Sequence, residues 1–182
     1  MKSFRSFCVA VALAACAVFP VCAFAGDADV QVAFSPDGGG EALVLSTIQS
    51  ARQSIRLLAY SFTAAPIVRA LVAAKRRGVD VAVTVDYRNN IQEDRSGKAR
   101  AALGALVNAS IPVTVVGAYP LQHSKFLAVD STVIQTGSYN YSRQAAYNSE
   151  NVIVLRGRPE IVHAYLLNWN DVTARGQRYS AQ

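Results

Sequence analysis

Apolar and polar positions alternate along the chain in segments whose period changes between two and about 3.6 residues. Period-two, β-branched segments predict strands over 30–34, 54–61, 79–85 and 112–116. Apolar residues three and four positions apart predict helices over 41–52, 66–77 and 98–108. Pro66 suits the first turn of its helix, and Gly78 suits the stop that follows it.

The pattern changes beyond residue 124. Strands are predicted over 125–129, 132–136 and 151–155 with little helix between them, and an amphipathic helix over 159–173 closes the chain. Strand–helix–strand units favour parallel neighbours covered by helices, whereas the later strands require a mixed sheet. We therefore predict an α/β fold with a mixed, mostly parallel β-sheet flanked by helices on both faces.

The first 25 residues have the pattern of an export signal. Lys2 and Arg5 precede an apolar run over 7–19, and Ala23-Phe24-Ala25 has the small residues that a signal peptidase recognises. We predict a signal peptide over 1–25 and one domain over 26–182. A lipidated Cys16 within Leu13-Ala14-Ala15-Cys16 is one alternative, and an uncleaved anchor is another. All three place the domain outside the cytoplasm, in the periplasm or secreted.

Composition limits the chemistry of the remaining chain. With 182 residues, 52% hydrophobic and 16% charged, the chain is too apolar for a disordered protein and too short for two large domains. All three cysteines precede residue 26, which excludes disulfides, thiolate nucleophiles and cysteine metal sites from the domain. The net charge of +6 includes Lys2 and Arg5, so the domain keeps +4.

Four polar residues near the predicted later strands form a candidate reaction site. His123 and Lys125 lie two apart, which on a strand places them on one face about 6.6 Å apart. Ser138 and Asn140 share a side in the same way if the backbone is extended. An imidazole can attack phosphorus, while ammonium, hydroxyl and amide groups can hold the nonbridging oxygens. The set suits a phosphate diester.

The spacing His-x-Lys-x4-Asp-x6-Gly-Ser-x-Asn, from His123 to Asn140, resembles the HKD signature of the phospholipase D superfamily. Residues 60–63, 75–81 and 148–151 also resemble the small exported bacterial endonucleases of that superfamily. The resemblance implies a two-step reaction through a phosphohistidine, in which a second histidine protonates the leaving oxygen and then activates water. Asp130 is the aspartate of the signature, and we expect its role to be mainly structural.

The chain contains one HKD signature and only two histidines. His163 falls well off the apolar stripe of its predicted helix, which favours a solvated side chain. The second catalytic histidine must then be His123 of another subunit. We predict a two-fold homodimer in which both copies of His123 face one phosphorus.

Glu150 is a further candidate. A carboxylate at the start of a strand can accept the outer N–H of His123 and fix its tautomer. An ordinary loop acid is the alternative, and the resemblance of 148–151 favours the catalytic role.

Nucleic-acid binding is predicted from charge and aromatic residues. A basic strip that would attract phosphates comprises Arg88, Arg95, Lys98 and Arg100; its alternative is a solvated face. Tyr139 and Tyr141 can stack on bases or pack in the core.

No histidine or carboxylate spacing indicates a metal site, and no cofactor is expected. The sequence thus predicts a metal-independent, non-specific endonuclease for DNA, with RNA as a second substrate and no stable membrane insertion after signal cleavage. Two alternatives are a hydrolase of phospholipid headgroups and a DNA-binding module with a vestigial site.

Overall fold

The computed structural model describes residues 29–37 and 39–180. The predicted signal peptide, its cleavage after Ala25 and the alternative at Cys16 lie outside the described residues. The strands are β1 (Asp29–Ser35), β2 (Ser54–Ala59), β3 (Asp80–Asp86), β4 (Val113–Val116), β5 (Phe126–Val129), β6 (Val133–Gly137), β7 (Glu150–Arg156) and β8 (Gln177–Arg178). The helices are α1 (Gly39–Ser50), α2 (Ala65–Arg76), α3 (Lys98–Asn108) and α4 (Pro159–Ala174), with a π-helical turn at Arg88–Gln92 and a 3-10 turn at Arg143–Ala146.

The strands form one sheet in the order β1-β7-β6-β5-β2-β3-β4-β8. The mixed α/β fold with a sheet flanked by helices is confirmed, but the expectation of a mostly parallel sheet is wrong for neighbouring strands. Only β2 with β3 and β3 with β4 pair in parallel, and the other five pairs are antiparallel. The physical reason is that β5 and β7 insert, in the opposite direction, between strands that share one direction.

Two apolar cores cover the two faces of the sheet. Apolar residues of α1, α2 and α3 pack on one face, where the larger core includes Ile48, Leu71 and Leu103. On the opposite face α4 buries Val162 and Val172 against Leu58, Phe126 and Ile134 of the central strands, among other residues. Within residues 29–37 and 39–180, no helix has the length and apolar content needed to cross a bilayer.

The strand directions bring the polar motif to one edge of the sheet. β2 and β3 end at this edge, and β5 begins there because Leu58 pairs with Phe126. The end of β6 and the start of β7 lie at the same edge, where Thr136 pairs with Ile153 and with Phe126. Segments far apart in sequence therefore meet around residues 123–125.

Candidate active site

A buried polar scaffold holds the segment that carries His123. The amide N–H of Gln122 donates to Asp86 Oδ2 at 2.8 Å, and Gln122 Nε2 donates to the Ala59 carbonyl at 3.0 Å. Gln122 Oε1 accepts the Ser124 N–H at 2.8 Å. Asp86 is 1% exposed and Gln122 is 4% exposed. The ends of β2 and β3 are thus tied to both neighbours of His123.

Asn90 extends this scaffold from the π-helical turn. Its Nδ2 donates to the carbonyl oxygens of Tyr60 at 2.6 Å and Asp86 at 2.8 Å, while its Oδ1 accepts the Phe62 N–H at 2.9 Å. The side chain is fully buried. Sequence analysis assigned no role to Asn90, Asp86 or Gln122 in forming the site. In the sequence each of these residues is only a polar position next to an apolar segment, and nothing in that pattern identifies its hydrogen-bond partners.

His123 and Lys125 touch each other. Lys125 Nζ lies 3.0 Å from His123 Nδ1 and 3.2 Å from Nε2, and it donates to the His123 carbonyl at 2.6 Å. Tyr60 packs against both, with its ring centroid 4.4 Å from the imidazole and 5.2 Å from Nζ. Both residues precede β5, which begins at Phe126, so the expected placement on a strand does not hold and the two side chains meet before the strand starts.

Burial, together with the neighbouring ammonium, favours the neutral form of the His123 imidazole. Burial is the larger cause that holds the pKa of His123 below its ordinary value, and the Lys125 ammonium acts in the same direction, against the Asp86 carboxylate. Burial also lowers the pKa of Lys125, while Glu150 opposes that change. A neutral imidazole carries a proton on one ring nitrogen and leaves the other unprotonated. The unprotonated nitrogen has the lone pair that nucleophilic attack requires.

Ser138 and Glu150 join the end of β6 to the start of β7. Ser138 Oγ donates to Glu150 Oε2 at 2.5 Å and accepts the Asn151 N–H at 3.0 Å. Asn148 Nδ2 donates to Glu150 Oε1 at 3.1 Å. Gly137 precedes them with φ +147°, and a Cβ there would lie 2.2 Å from the Asn151 carbonyl oxygen. The Gly-Ser pair of the motif therefore permits a close approach that another residue would prevent.

The predicted contact between Glu150 and His123 is wrong. Both carboxylate oxygens of Glu150 accept hydrogen bonds from other residues, and both ring nitrogens of His123 face Lys125. Glu150 instead acts on the charge of Lys125 and braces Ser138. The hydroxyl proton that was expected to bind a nonbridging oxygen is directed to Glu150.

A pocket of about 790 Å³ opens over these side chains. Its walls come from β5, β6, the start of β7 and α4, and its lining includes His123, Lys125, Ser138, Asn140 and Glu150. The buried Oδ1 of Asn140 has no hydrogen-bond partner among the described residues. The structure thus brings together every predicted catalytic residue except Asp130.

Asp130 lies at the far end of β5 and organises a turn. Its carboxylate accepts the backbone N–H groups of Arg52, Gln53 and Ser54 at 2.8, 2.7 and 2.8 Å. Burial favours a higher pKa for Asp130, but these three hydrogen bonds outweigh it, and the pKa lies below its ordinary value. The expected structural role is therefore supported, since Asp130 connects β5 to the α1–β2 turn.

Replacing Asp130 with Asn is expected to destabilise the fold by about 1–3 kcal/mol, because the amide cannot accept all three N–H groups as a carboxylate does. Asn tolerates the positive φ of 51° at this position, so the backbone is not the cause. Because the native pKa is lowered, the contribution is complete above the unfolded pKa and is lost as pH falls through the native one. Urea unfolding at pH 7 and at acidic pH measures both effects.

Asp37→Asn in the exposed loop after β1 is the matched control and is expected to change the free energy of unfolding little. Equal unfolding curves for the wild type and Asp130→Asn at pH 7 would contradict the assigned role.

The predicted basic strip does not form a uniform surface. Arg88 pairs with Glu93 at 2.6 Å, and the Arg100 guanidinium donates to the carbonyls of Ile91 and Asp94, each at 2.7 Å. Arg95 and Lys98 have exposed side chains. The binding role of the strip stays a prediction, and for Arg100 the observed contacts are with its own loop.

The stacking roles of Tyr139 and Tyr141 are wrong. Both side chains are fully buried in the larger core, and Tyr141 Oη donates to Gln135 Oε1 at 2.7 Å. The physical reason is that residues 139 and 141 point inward beside Asn140, which leaves no aromatic face for a base. The expected solvated position of His163 is confirmed, since its side chain is exposed on α4.

Across residues 29–37 and 39–180, no three His, Cys, Asp or Glu side chains are placed to share a metal ion. The pocket offers instead one neutral imidazole, one ammonium and the Asn140 amide. This arrangement can attack and hold a phosphate group.

Comparisons with known proteins agree with this chemistry. A family model described as "Cardiolipin synthase, PLD-like domain" matches residues 44–169. A protein named Phospholipase D from Rickettsia felis is 33% identical over 141 residues, which cover 77% of this chain and 67% of that protein. The crystal structure of Nuc from Salmonella typhimurium, a phospholipase D family member, has 42% identity and a TM-score of 0.80, covering 84% of this chain and 99% of Nuc. NucT from Helicobacter pylori shares the fold, with 23% identity and a TM-score of 0.73. That match covers 84% of this chain and 100% of NucT.

Proposed function

The chain belongs to the phospholipase D superfamily of hydrolases, and from that premise we propose that it is an exported, metal-independent endonuclease that acts as a homodimer. The observation that carries the chemistry is the contact between His123 and Lys125, with Lys125 Nζ 3.0 Å from a ring nitrogen. It provides a nucleophile kept neutral next to a positive charge. Attack on a phosphate diester requires this combination.

The reaction proceeds in two steps. In its neutral form His123 attacks phosphorus, so that a P–N bond forms while the P–O bond to the leaving oxygen breaks. The partner's His123 enters this step protonated, as an imidazolium, and donates its extra proton to that oxygen. In the second step, the now neutral imidazole of the partner removes a proton from water. The water oxygen attacks phosphorus, the P–N bond breaks and His123 is released. Lys125 and Asn140 hold the nonbridging oxygens as negative charge develops.

The requirement for a second subunit follows from the histidine count. His163 is exposed on α4 and is absent from the lining of the pocket, so His123 is the only histidine of this chain placed to react. A second imidazole is needed to protonate the leaving group. Two-fold symmetry supplies it from an identical chain, because an isologous interface brings the same residue to the axis from both sides.

An exposed apolar strip next to the pocket supports self-association. Its exposed members are Val30, Val32 and Phe34 of β1, at 49%, 55% and 63%, and the half-buried Ile153 and Leu155 of β7 continue it. In the register of the sheet, Val32 pairs with Ile153, which pairs with the pocket residue Thr136. Exposed apolar patches of this kind favour interfaces, and a second copy that covers the strip would lie close to His123.

Nucleic acid is the substrate that the charge of the chain favours. Without residues 1–25 the net charge is +4, and most residues that line the pocket have polar side chains. Contacts to phosphate carry no base information, so cleavage with little sequence preference is expected. A hydrolase of phospholipid headgroups is the second candidate. The name of the Rickettsia felis relative favours it, and the apolar strip could contact acyl chains.

Purified protein lacking residues 1–25, incubated with plasmid DNA, RNA or phospholipid vesicles, separates the two candidates. We expect nicking and degradation of DNA at rates unchanged by EDTA, because His123 is the nucleophile and Lys125 supplies the positive charge. Gel electrophoresis and headgroup release measure the products.

His123→Asn is the control that excludes a contaminating nuclease in these assays. Hydrolysis of phospholipid without cleavage of either nucleic acid would make the second candidate correct. Loss of DNA cleavage in EDTA with recovery on adding a divalent ion would contradict the metal-independent mechanism.

A further inference from the structure

A second cavity, of about 1050 Å³, lies between α2, α3 and the 3-10 turn. It shares no lining residue with the pocket around His123. Its lining includes three cationic side chains, Arg69, Lys98 and Arg143, with Glu41 as its single carboxylate. We call this feature the cationic groove. Of the basic strip predicted from sequence, only Lys98 lines the groove; Arg69 and Arg143 belong to other elements.

Within residues 29–37 and 39–180, the cations of the groove have no ion-pair partner. The four ion pairs among residues 29–37 and 39–180 involve other arginines, and the side chains of Arg69, Lys98 and Arg143 make no hydrogen bond within that part of the chain. All three side chains are exposed. A concave surface lined by charges of one sign concentrates ligands of the opposite sign. Such a groove suits an anion large enough to meet several cations.

An aromatic side chain lines the same groove. Tyr147 is 64% exposed, in contrast with the buried Tyr139 and Tyr141. It follows the 3-10 turn that carries Arg143. Cations together with an exposed aromatic ring are typical of surfaces that bind single-stranded nucleic acid, where phosphates meet the charges and unpaired bases stack. A base within a duplex is not available for such stacking.

The groove is connected to the reaction site by a short segment. Asn140 lines the pocket and Arg143 lines the groove, three residues later, so their Cα atoms are at most about 11 Å apart. Thr63 Oγ1 accepts the Arg143 N–H at 3.3 Å, and Asn148 Nδ2 donates to Glu150 Oε1 at 3.1 Å. A strand whose phosphate lies at His123 could therefore continue into the groove.

We propose that the cationic groove binds a single-stranded segment of the nucleic-acid substrate beside the scissile phosphate, with Tyr147 stacking on a base. This inference rests on the proposed nuclease function and adds a site outside the HKD motif. The groove holds the strand through phosphate and ring contacts, which do not depend on base identity.

Binding is measured with full-length chains carrying His123→Asn, a fluorescent single-stranded oligonucleotide, its duplex and vesicles containing phosphatidylglycerol. Adding Arg69→Gln with Arg143→Gln is expected to weaken single-strand binding at least about tenfold and to reduce the slope of log K against log salt by about 1.4. Adding Tyr147→Leu is expected to weaken it roughly 5- to 150-fold, while Tyr147→Phe keeps the ring and binds nearly as the parent does. Arg76→Gln, at the opposite end of α2, is the charge control.

Turnover on two substrates, in chains with an intact His123, separates failure of this proposal from failure of the proposed function. A small chromogenic phosphodiester cannot reach the groove, so the groove variants are expected to hydrolyse it as the wild type does and to lose activity only on single-stranded DNA. Unchanged cleavage of single-stranded DNA would overturn the groove proposal alone. Loss of vesicle binding with unchanged oligonucleotide binding would also overturn it, in favour of a lipid ligand. A wild type that cleaves the small diester but no nucleic acid would overturn the nuclease assignment.

Discussion

A heterodimer of one wild-type subunit and one His123→Asn subunit is expected to lose nearly all activity, as the variant homodimer does. If both imidazoles serve one phosphorus, removing either stops the reaction, because one attacks and the other protonates the leaving oxygen. Loss of a nucleophile of this kind lowers kcat by about 10⁴-fold or more. Subunits with two different affinity tags, purified in sequence, give the heterodimer for assay on DNA.

The control is a heterodimer of two wild-type subunits with the same tags. His163→Asn provides a second control, since it removes the other histidine of the chain and is expected to leave turnover unchanged. A heterodimer with about half of the wild-type rate would mean that each subunit contains a complete site, and the shared-site mechanism would be abandoned. A fully active protein that sedimented as a monomer at assay concentration would lead to the same conclusion.

Lys125→Gln is expected to lower kcat/KM by about 10²- to 10³-fold, because a preorganised donor to the nonbridging oxygens is removed. It also changes the titration of the neighbouring nucleophile. The pKa of His123 is held low first by burial and then by the charge of Lys125, so removing that charge raises it. In the variant the imidazole of His123 stays protonated up to a higher pH. The acid limb of the pH–rate profile is therefore expected to move to higher pH.

The direction of that shift does not by itself separate loss of charge from loss of burial, because either change raises the pKa of His123. Lys125→Arg keeps the positive charge, so it is expected to leave the acid limb in place if the charge is the cause. Lys75→Gln, on α2, is the matched control and is expected to change neither the rate nor the profile. If the acid limb of Lys125→Gln moved to lower pH, the assigned contact between the two side chains would not govern the nucleophile.

Much of this fold follows from local pattern. The pattern of the apolar residues predicts every strand from β1 to β7 and all four helices, because most segments expose one face and bury the other, while the continuous apolar run of β5 is buried on both faces. It does not determine which strands become neighbours. Strand β5 lies between β2 and β6, and β7 between β6 and β1, although nothing in their own residues specifies those partners. Because β5 and β7 take these positions, most neighbouring strands of the sheet pair antiparallel.

The site shows the same division at the level of single residues. The HKD spacing identifies His123, Lys125 and Asn140, since the chemistry of a phosphate diester restricts the residue types. The hydrogen bond that Ser138 Oγ donates to Glu150 joins the end of β6 to the start of β7, which only folding brings together. Tyr139 and Tyr141 flank Asn140 in sequence but point into the core, so proximity along the chain was misleading.

The sequence alone determined the order of the elements, the superfamily and the candidates for the reacting side chains, because these depend on residue type and local spacing. Only the tertiary structure decided that Asp86, Asn90 and Gln122 hold the reactive segment and that Arg69, Lys98 and Arg143 meet in a groove. The reason is that a buried polar group must find a partner in space, and the partners of Asn90 in Phe62 and Tyr60 and of Gln122 in Ala59 lie 28, 30 and 63 residues away in the chain.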